Sequence, residues 1–172
     1  ADADLAGDPE TRKSRSGMAI MMGCKTSATC ISHRSALQKT IALSTTAAEI
    51  LALIETATPI EGIRFMLAEL HMPQTGPTTV YEDNQPCIAV CSDVAKTVGE
   101  HTKFYDIRVK KLKEMQTLGI IIVKYCVTAS MIADLFTKNV NAVIFERLAN
   151  VITGAGGTRE SLSKTLLSLM PD

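Results

Sequence analysis

A segment rich in β-branched residues, Ile120 to Tyr125, constrains the fold more than any other stretch of this sequence. Branched side chains favour extended backbone because a helix restricts their χ1 rotamers, and Gly119 separates the run from what precedes it. The preceding segment, Tyr105 to Gln116, is rich in lysine and has the pattern of a solvated helix. A strand that follows a helix in this way is typical of a sheet with helices packed on it.

Other extended segments lie earlier in the chain. An apolar run between glycines, Gly17 to Gly23, predicts a buried strand, and residues 28–33 are its predicted hairpin partner. Thr78 to Glu82 predicts a third strand, which ends just before Asp83. The first sixteen residues are polar, and we expect them to form a loop.

The helical segments are recognised by their caps and by their apolar spacing. Ser44 is a typical N-cap residue, and the helix after it is expected to kink or restart at Pro59 and to end near His71. Further helices are predicted over 84–91, 130–138 and 142–152. Strands that alternate with helices indicate an α/β fold with a mixed sheet.

One folded domain accounts for most of the chain. The 172 residues are 46% hydrophobic, which is enough for a core, and we assign residues 1–152 to one domain. Glycines at 154, 156 and 157 predict a flexible linker, so residues 153–172 are expected to be this linker and a C-terminal tail helix. Five cysteines without a CxxC pair favour an intracellular protein. No apolar run approaches the roughly 20 residues of a membrane span.

Four carboxylates stand at element boundaries or among apolar residues: Asp2, Glu49, Asp83 and Asp134. If they converge, like charges a few ångströms apart would raise one another's pKa, and a divalent cation would relieve the repulsion. Oxygen ligands of this kind suit Mg²⁺, and three or four carboxylates can hold two ions. Taken singly, each carboxylate is also explained as a helix cap, a solvated residue or an ion-pair partner. Spacing along the chain does not decide between these interpretations.

Six short strings occur in order between residue 1 and about residue 150: Asp2–Asp8, Ala42–Glu49, Tyr81–Gln85, His101–Arg108, Ala133–Lys138 and Phe145–Leu148. Together they resemble the ribonuclease H domain of copia-type retrotransposon Pol polyproteins. The resemblance implies a ribonuclease H-like α/β fold, in which helices flank a mixed five-stranded sheet. The central first strand is expected to be truncated, because only Ala1 precedes Asp2.

The resemblance also implies a function. Asp2, Glu49, Asp83 and Asp134 match the family's catalytic, metal-binding carboxylates, which would hold two Mg²⁺ ions, with Mn²⁺ as a substitute and no small-molecule cofactor. The implied reaction is two-metal endonucleolytic hydrolysis of the RNA strand of an RNA–DNA hybrid during retrotransposon reverse transcription. The implied partner is the reverse transcriptase domain of the same polyprotein, with no membrane partner. The implied location is a cytoplasmic retrotransposon particle or the nucleus.

Nucleic-acid binding has to be local, because 18 basic residues balance 18 acidic ones. The candidate phosphate contacts are basic residues within or just after the fourth and fifth strings: Lys103, Arg108, Lys110, Lys111 and Lys138. A solvated helix face explains this basic cluster equally well.

Two other functions compete with the nuclease. The first is a degenerate, non-catalytic remnant or nucleic-acid-binding domain, because Leu5, His33 and Gly62 replace tryptophans of the family pattern and Ala47 replaces a glutamate. The second is a helical interaction module that uses Met- and Leu-rich faces. The module predicts no strand at Ile120 to Tyr125 and no clustering of the acidic residues.

Overall fold

The structure, a computed structural model, describes residues 1–24, 27–92 and 105–154. Within these ranges the chain forms five strands: β1 (Asp2–Asp4), β2 (Arg15–Cys24), β3 (Ser27–Leu37), β4 (Thr78–Glu82) and β5 (Ile121–Tyr125). It also forms four α-helices: α1 (Thr45–Glu69), α2 (Gln85–Cys91), α3 (Asp106–Thr117) and α4 (Ala142–Thr153). Two short 3₁₀ helices, Thr128–Ser130 and Ile132–Phe136, follow β5.

The five strands form two hydrogen-bonded ladders. β1, β2 and β3 are antiparallel, with Asp2 opposite Gly17, whereas β4 and β5 are parallel, with Thr78 opposite Ile121. The amino nitrogen of Ala1 donates to the Tyr81 carbonyl at 2.9 Å and so brings β1 alongside β4. Antiparallel and parallel pairs, with helices packed on them, give the mixed α/β, ribonuclease H-like fold that the sequence predicts.

The core lies where α1 packs on the strands. Ala48, Ile50 and Leu53 of α1 are buried together with Val80 of β4 and Ile121 of β5. A smaller cluster forms where Leu148 and Val151 of α4 pack against partly buried apolar residues, which are Met21, Ala28, Ile132 and Leu135. Among the described residues, no helix is both long and apolar enough to cross a membrane.

Three expectations about secondary structure are wrong. The opening residues are not a loop throughout, because β1 pairs with β2 and β2 begins at Arg15. α1 continues through Pro59 without a restart, since buried residues on both sides, such as Ala57 and Ile60, hold the helix on the core. The segment 130–138 contains a 3₁₀ helix rather than an α-helix, with Thr137 N bonded to Asp134 O at 3.2 Å.

The strand at Ile121–Tyr125 contradicts the helical interaction module. β5 pairs with β4 along its whole length, as the β-branched run predicts. The predicted caps are also confirmed, because the Ser44 hydroxyl accepts from Ala47 N at 3.1 Å and the Asn84 side chain accepts from Cys87 N at 2.8 Å. The predicted domain boundary near residue 152 and the tail helix stay predictions, because residues 155–172 lie outside the described ranges.

Candidate metal centre

Three carboxylates from distant parts of the sequence meet at one end of the fold. Asp2 lies on β1, Glu49 in the second turn of α1, and Asp83 immediately after β4. One oxygen atom from each lies within 4.8 Å of the other two. Asp2 and Glu49 are buried and Asp83 is half-buried, so the group opens toward solvent on the side of Asp83.

Asp2 is fixed by the segment that follows the second 3₁₀ helix. The hydroxyl of Thr137 donates to Asp2 Oδ2, and the ammonium of Lys138 lies 3.0 Å from Asp2 Oδ1. This segment approaches β2 closely, because a Cβ on Gly17 would lie 2.6 Å from Thr137 Cγ2 and 2.8 Å from the Ala133 carbonyl oxygen. The absence of a side chain at Gly17 therefore permits the approach that orients Asp2.

Glu49 is positioned by the start of α1. The buried Gln38 amide donates to the Ala48 carbonyl and to the Ser16 hydroxyl, both at 2.9 Å, and so ties the first turns of α1 to β2. Glu49 Oε2 is buried, and no hydrogen-bond partner for it occurs in the part of the chain that the structure describes. A buried carboxylate oxygen without a donor is costly unless it is protonated or bound to a cation.

Asp83 is held by the turn after β5. The Thr128 hydroxyl donates to Asp83 Oδ2 at 2.7 Å. The next residue, Asn84, caps α2, which fixes the direction in which the chain leaves β4. Asp83 therefore sits between an ordered strand end and an ordered helix start.

Asp134 lies outside the group of three. Its Oδ1 is 2.9 Å from Lys138 Nζ, the same ammonium that binds Asp2. The structure thus brings Asp2, Glu49 and Asp83 together directly and joins Asp134 to Asp2 through Lys138. Lys138, a predicted phosphate contact, lies between two carboxylates, and its contact with phosphate stays a prediction.

The pKa values of Glu49, Asp134 and Lys138 are shifted from their ordinary values. Burial, reinforced by Glu82, Asp2 and Asp83, raises the pKa of Glu49 to about 9. Burial also raises the pKa of Asp134 to about 6, although the hydrogen bond from Lys138 opposes this. Partial burial alone would lower the pKa of Lys138. The negative charges of Asp134 and Asp2 outweigh this effect, so the pKa of Lys138 is raised. At neutral pH and without a cation, Glu49 therefore carries a proton and Lys138 is charged.

Glu82 is a buried carboxylate that the sequence analysis missed. It is fully buried, its Oε1 accepts from Asn84 N at 3.2 Å, and burial raises its pKa to about 7. The alternation of side chains along β4 predicts the burial of Glu82. Glu82 is two residues after the buried Val80 and therefore points to the same face. The negative charge of Glu82 contributes to the raised pKa of Glu49.

The donor set fits a divalent cation. Carboxylate oxygens are the ligands that Mg²⁺ and Mn²⁺ prefer, and the unpartnered oxygen of Glu49 lies within the group of three. A bound cation would offset the burial and the repulsion that raise the pKa of Glu49 and would displace its proton. Asp2, Glu49 and Asp83 are the residues that could hold it.

The predicted phosphate contacts on α3 are partly engaged in ion pairs. Lys110 Nζ lies 2.8 Å from Asp106 Oδ2, and Lys111 Nζ lies 3.1 Å from Glu114 Oε2 and 3.5 Å from Glu61 Oε1. Arg108 is half-buried on the same helix. Lys103, with the start of its sequence string at His101, lies outside the described residues.

The chain is similar in sequence to three known polyproteins. It is 37% identical over 147 residues to a retrovirus-related Pol polyprotein from transposon TNT 1-94 of Nicotiana tabacum, which covers 84% of the chain. It is 27% and 26% identical over 152 residues to the Pol polyproteins from transposons RE1 and RE2 of Arabidopsis thaliana, which cover 88% of it. The chain spans about 10% of the length of each of these relatives.

No protein-family model matches the chain, and no solved structure matches it significantly. The similarity to the three polyproteins extends over 84% to 88% of the chain. The chain is therefore a member of the family of Pol-derived sequences of copia-type transposons and corresponds to one segment of their polyproteins.

Proposed function

We propose that this chain is a Mg²⁺-dependent endonuclease that hydrolyses the RNA strand of an RNA–DNA hybrid during retrotransposon reverse transcription. It would act beside the reverse transcriptase domain of a Pol polyprotein, in a cytoplasmic particle or in the nucleus. The observation that carries the proposal is the convergence of Asp2, Glu49 and Asp83 within 4.8 Å. Like charges this close repel one another, and a bound cation relieves the repulsion.

The chain's own residues have separable roles in this proposal. Asp2, Glu49 and Asp83 would hold the metal, and Asp134 would join them from the other side of Lys138. A pair of Mg²⁺ ions, or of Mn²⁺ ions, would supply activation of the attacking water and charge stabilisation at the leaving oxygen. In-line attack at phosphorus would leave a 3′-hydroxyl and a 5′-phosphate.

Hydroxyl groups orient two of the carboxylates before any ligand arrives. Thr137 donates to Asp2, and Thr128 donates to Asp83. Such donors outside the ligand set restrict the rotamers of the ligands and reduce the entropy lost on binding. Glu49 lacks such a donor and would be oriented by the cation itself, with loss of its proton.

Binding of the hybrid is assigned to the basic face of α3. Lys110 and Lys111 are in solvent-exposed ion pairs, which contribute little and exchange readily for phosphate contacts. Arg108, on the same helix, and Lys103 complete the proposed contacts. Discrimination of RNA from DNA would rest on the 2′-hydroxyls.

A second candidate, a non-catalytic nucleic-acid-binding domain, is favoured by one observation. The ammonium of Lys138 lies between Asp2 and Asp134, where it supplies the positive charge that a cation would otherwise supply. A chain that used Lys138 permanently in this way would bind the hybrid without cleaving it.

The test is cleavage of an end-labelled RNA–DNA hybrid in Mg²⁺ or in EDTA. We expect Mg²⁺-dependent cleavage by the unmodified chain and by Glu69→Gln, a control that removes an exposed carboxylate at the end of α1. Asp83→Asn should lose at least about 100-fold, since mutation of groups that merely support metal ligands costs 10–100-fold.

Equal rates for the unmodified chain and Asp83→Asn, or equal rates in Mg²⁺ and EDTA, would reject the nuclease. Retention of the hybrid in a gel-shift experiment without cleavage would favour the second candidate. The unfolding midpoint of Asp83→Asn, measured in parallel, separates loss of chemistry from loss of folding.

A further inference from the structure

The second 3₁₀ helix crosses one face of the ladder that β1, β2 and β3 form. Asp2 is opposite Gly17, and Gly17 is opposite Ser35, so these three residues make a row across the three strands. Side chains of directly opposed residues in an antiparallel pair lie on the same face of the sheet. A Cβ on Gly17 would lie 3.0 Å from Phe136 Cβ, so the helix crosses the sheet at this row.

On the side of β3, two contacts hold the end of this helix. The ring of His33 stacks on the ring of Phe136, with the centroids 5.4 Å apart and 17° between the ring planes. This separation is within the range that aromatic pairs prefer. The Ser35 hydroxyl donates to the Phe136 carbonyl at 2.6 Å. His33 is two residues before Ser35 and therefore lies on the same face of β3.

On the side of β1, the same segment contacts a proposed metal ligand. Thr137 directly follows Phe136, and its hydroxyl donates to Asp2 Oδ2. The backbone N–H groups of Thr137 and Lys138 both donate to the Asp134 carbonyl, at 3.2 and 2.9 Å, so the turn after Phe136 is compact. The place of Phe136 on β3 therefore determines where the Thr137 hydroxyl meets Asp2.

This end of the 3₁₀ helix depends on its contacts with β3. The hydrogen bonds of a 3₁₀ helix have poorer geometry than those of an α-helix, and such helices are short. Ile132 and Leu135 pack in the apolar cluster of Leu148 and Val151 from α4. Phe136 instead meets His33 and Ser35, so the residue next to Thr137 is held by the hairpin rather than by α4.

We propose that His33 is a positioning residue of the metal centre, whose ring, through Phe136, holds the Thr137 hydroxyl on Asp2 and so strengthens Mg²⁺ binding. A ligand that is already oriented loses less entropy when the cation binds. His33 acts on Phe136 and not on the cation. The inference rests on the proposed function, because it concerns the same metal site.

The test has two measurements on the unmodified chain, His33→Ala and His33→Phe. Calorimetric titration with Mg²⁺ should give His33→Ala a dissociation constant at least about 3-fold higher, a smaller effect than the 10–100-fold that loss of a ligand's direct partner costs. Hydrogen exchange in EDTA at the Thr137 and Lys138 amides should be about 2- to 10-fold faster, as loss of one aromatic pair predicts. His33→Phe keeps a ring on Phe136 and should restore both values.

Two further variants separate positioning from a general loss of stability. Arg34 is next to His33 in β3 and points to the other face, where its guanidinium lies 4.0 Å from Glu55 of α1. Arg34→Ala should therefore change neither measurement. Thr137→Val removes the hydroxyl that contacts Asp2, so His33→Ala should weaken Mg²⁺ binding no further in that background.

Three results would overturn the positioning role while the metal centre stands. They are unchanged exchange in His33→Ala, faster exchange with unchanged Mg²⁺ affinity, and an effect of His33→Ala that persists in full beside Thr137→Val. Absence of Mg²⁺ binding by the unmodified chain would reject the metal centre and the positioning role together. Mg²⁺ binding without cleavage of the hybrid would reject the nuclease alone and leave the role of His33 supported by the other results.

Discussion

Lys138 Nζ lies 3.0 Å from Asp2 Oδ1, although 136 positions separate the two residues in the sequence. The same nitrogen is 2.9 Å from Asp134 Oδ1. Because the Asp2 side chain is almost completely buried, this ammonium is a principal source of compensation for its charge. The contact also attaches the segment after β5 to the first strand.

Removal of this ammonium should destabilise the fold. We expect Lys138→Met to lower the free energy of unfolding by about 1–3 kcal/mol, because Asp2 and Asp134 lose a charged partner, and exposure of the Lys138 side chain keeps the loss moderate. Urea denaturation at pH 7 measures it. Lys110→Met is the matched control, since Lys110 also pairs with an aspartate four residues away but is largely exposed. An equal loss for both variants would show that the burial of Asp2 is unimportant.

The pH dependence of stability should report Glu49. Its pKa is about 9 in the folded chain and about 4.5 as its ordinary value, so the folded state binds the proton more tightly. Without divalent cations, its contribution to the free energy of unfolding therefore falls as pH rises from about 4.5 to about 9. The slope approaches about 1.4 kcal/mol per pH unit. Above pH 9 this contribution is constant.

Glu49→Gln tests the assignment. Urea denaturation in EDTA at pH 5, 7 and 9 should give a much flatter profile for Glu49→Gln than for the unmodified chain. Glu55→Gln lies on the same helix at a partly exposed position and should keep the original slope. Because the pKa of Glu82 is about 7, every variant should keep a smaller dependence of unfolding free energy on pH below pH 7. A Glu49→Gln profile as steep as the original would contradict the prediction.

Divalent cations should displace the Glu49 proton. We expect Mg²⁺ binding at pH 7 to release close to one proton, because the protonated Glu49 must ionise to become a ligand. Calorimetric titration in two buffers of different ionisation enthalpy measures the number released. Glu55→Gln should release the same number, whereas Glu49→Gln should bind more weakly and release fewer protons. Binding without proton release would place the cation away from Glu49.

Gly17 should tolerate no side chain. In Gly17→Ala the new Cβ would contact the backbone oxygen of Ala133 at 2.8 Å, so the 3₁₀ segment would have to move. We expect a loss of about 1–3 kcal/mol, typical of overpacking, together with weaker Mg²⁺ binding as Thr137 moves away from Asp2. Gly62→Ala is the control, because a Cβ there meets open space on a helix and should be stabilising by up to about 1 kcal/mol. Equal stabilities of Gly17→Ala and the unmodified chain would disprove the close approach of the 3₁₀ segment to β2.

Local sequence signals predicted the regular elements of the fold well. The β-branched run gave β5, and the Ser44 and Asn84 caps gave the starts of α1 and α2. The local signals failed where tertiary contacts decide the conformation. β1 has a polar sequence and is a strand because β2 pairs with it, and Pro59 stays within α1 because the core holds both halves of the helix.

The acidic group was predictable in part. Asp2 and Asp83 stand near the ends of strands and Glu49 near the start of a helix, where distant residues are brought together. The position of Lys138 was not predictable, because its spacing of four residues from Asp134 is equally typical of a surface ion pair. The burial of Glu82 was predictable from the alternation of side chains in β4, because Glu82 is two residues after the buried Val80.

The bond from Ala1 to Tyr81 joins the two ladders at the place where the acidic group assembles. Asp2 belongs to one ladder and Asp83 follows the last residue of the other, so the group spans a seam between two sheets. Separation of the sheets at this seam would disperse the metal ligands while every helix stayed intact. Affinity for Mg²⁺ should thus disappear at a lower urea concentration than the helical circular dichroism signal does.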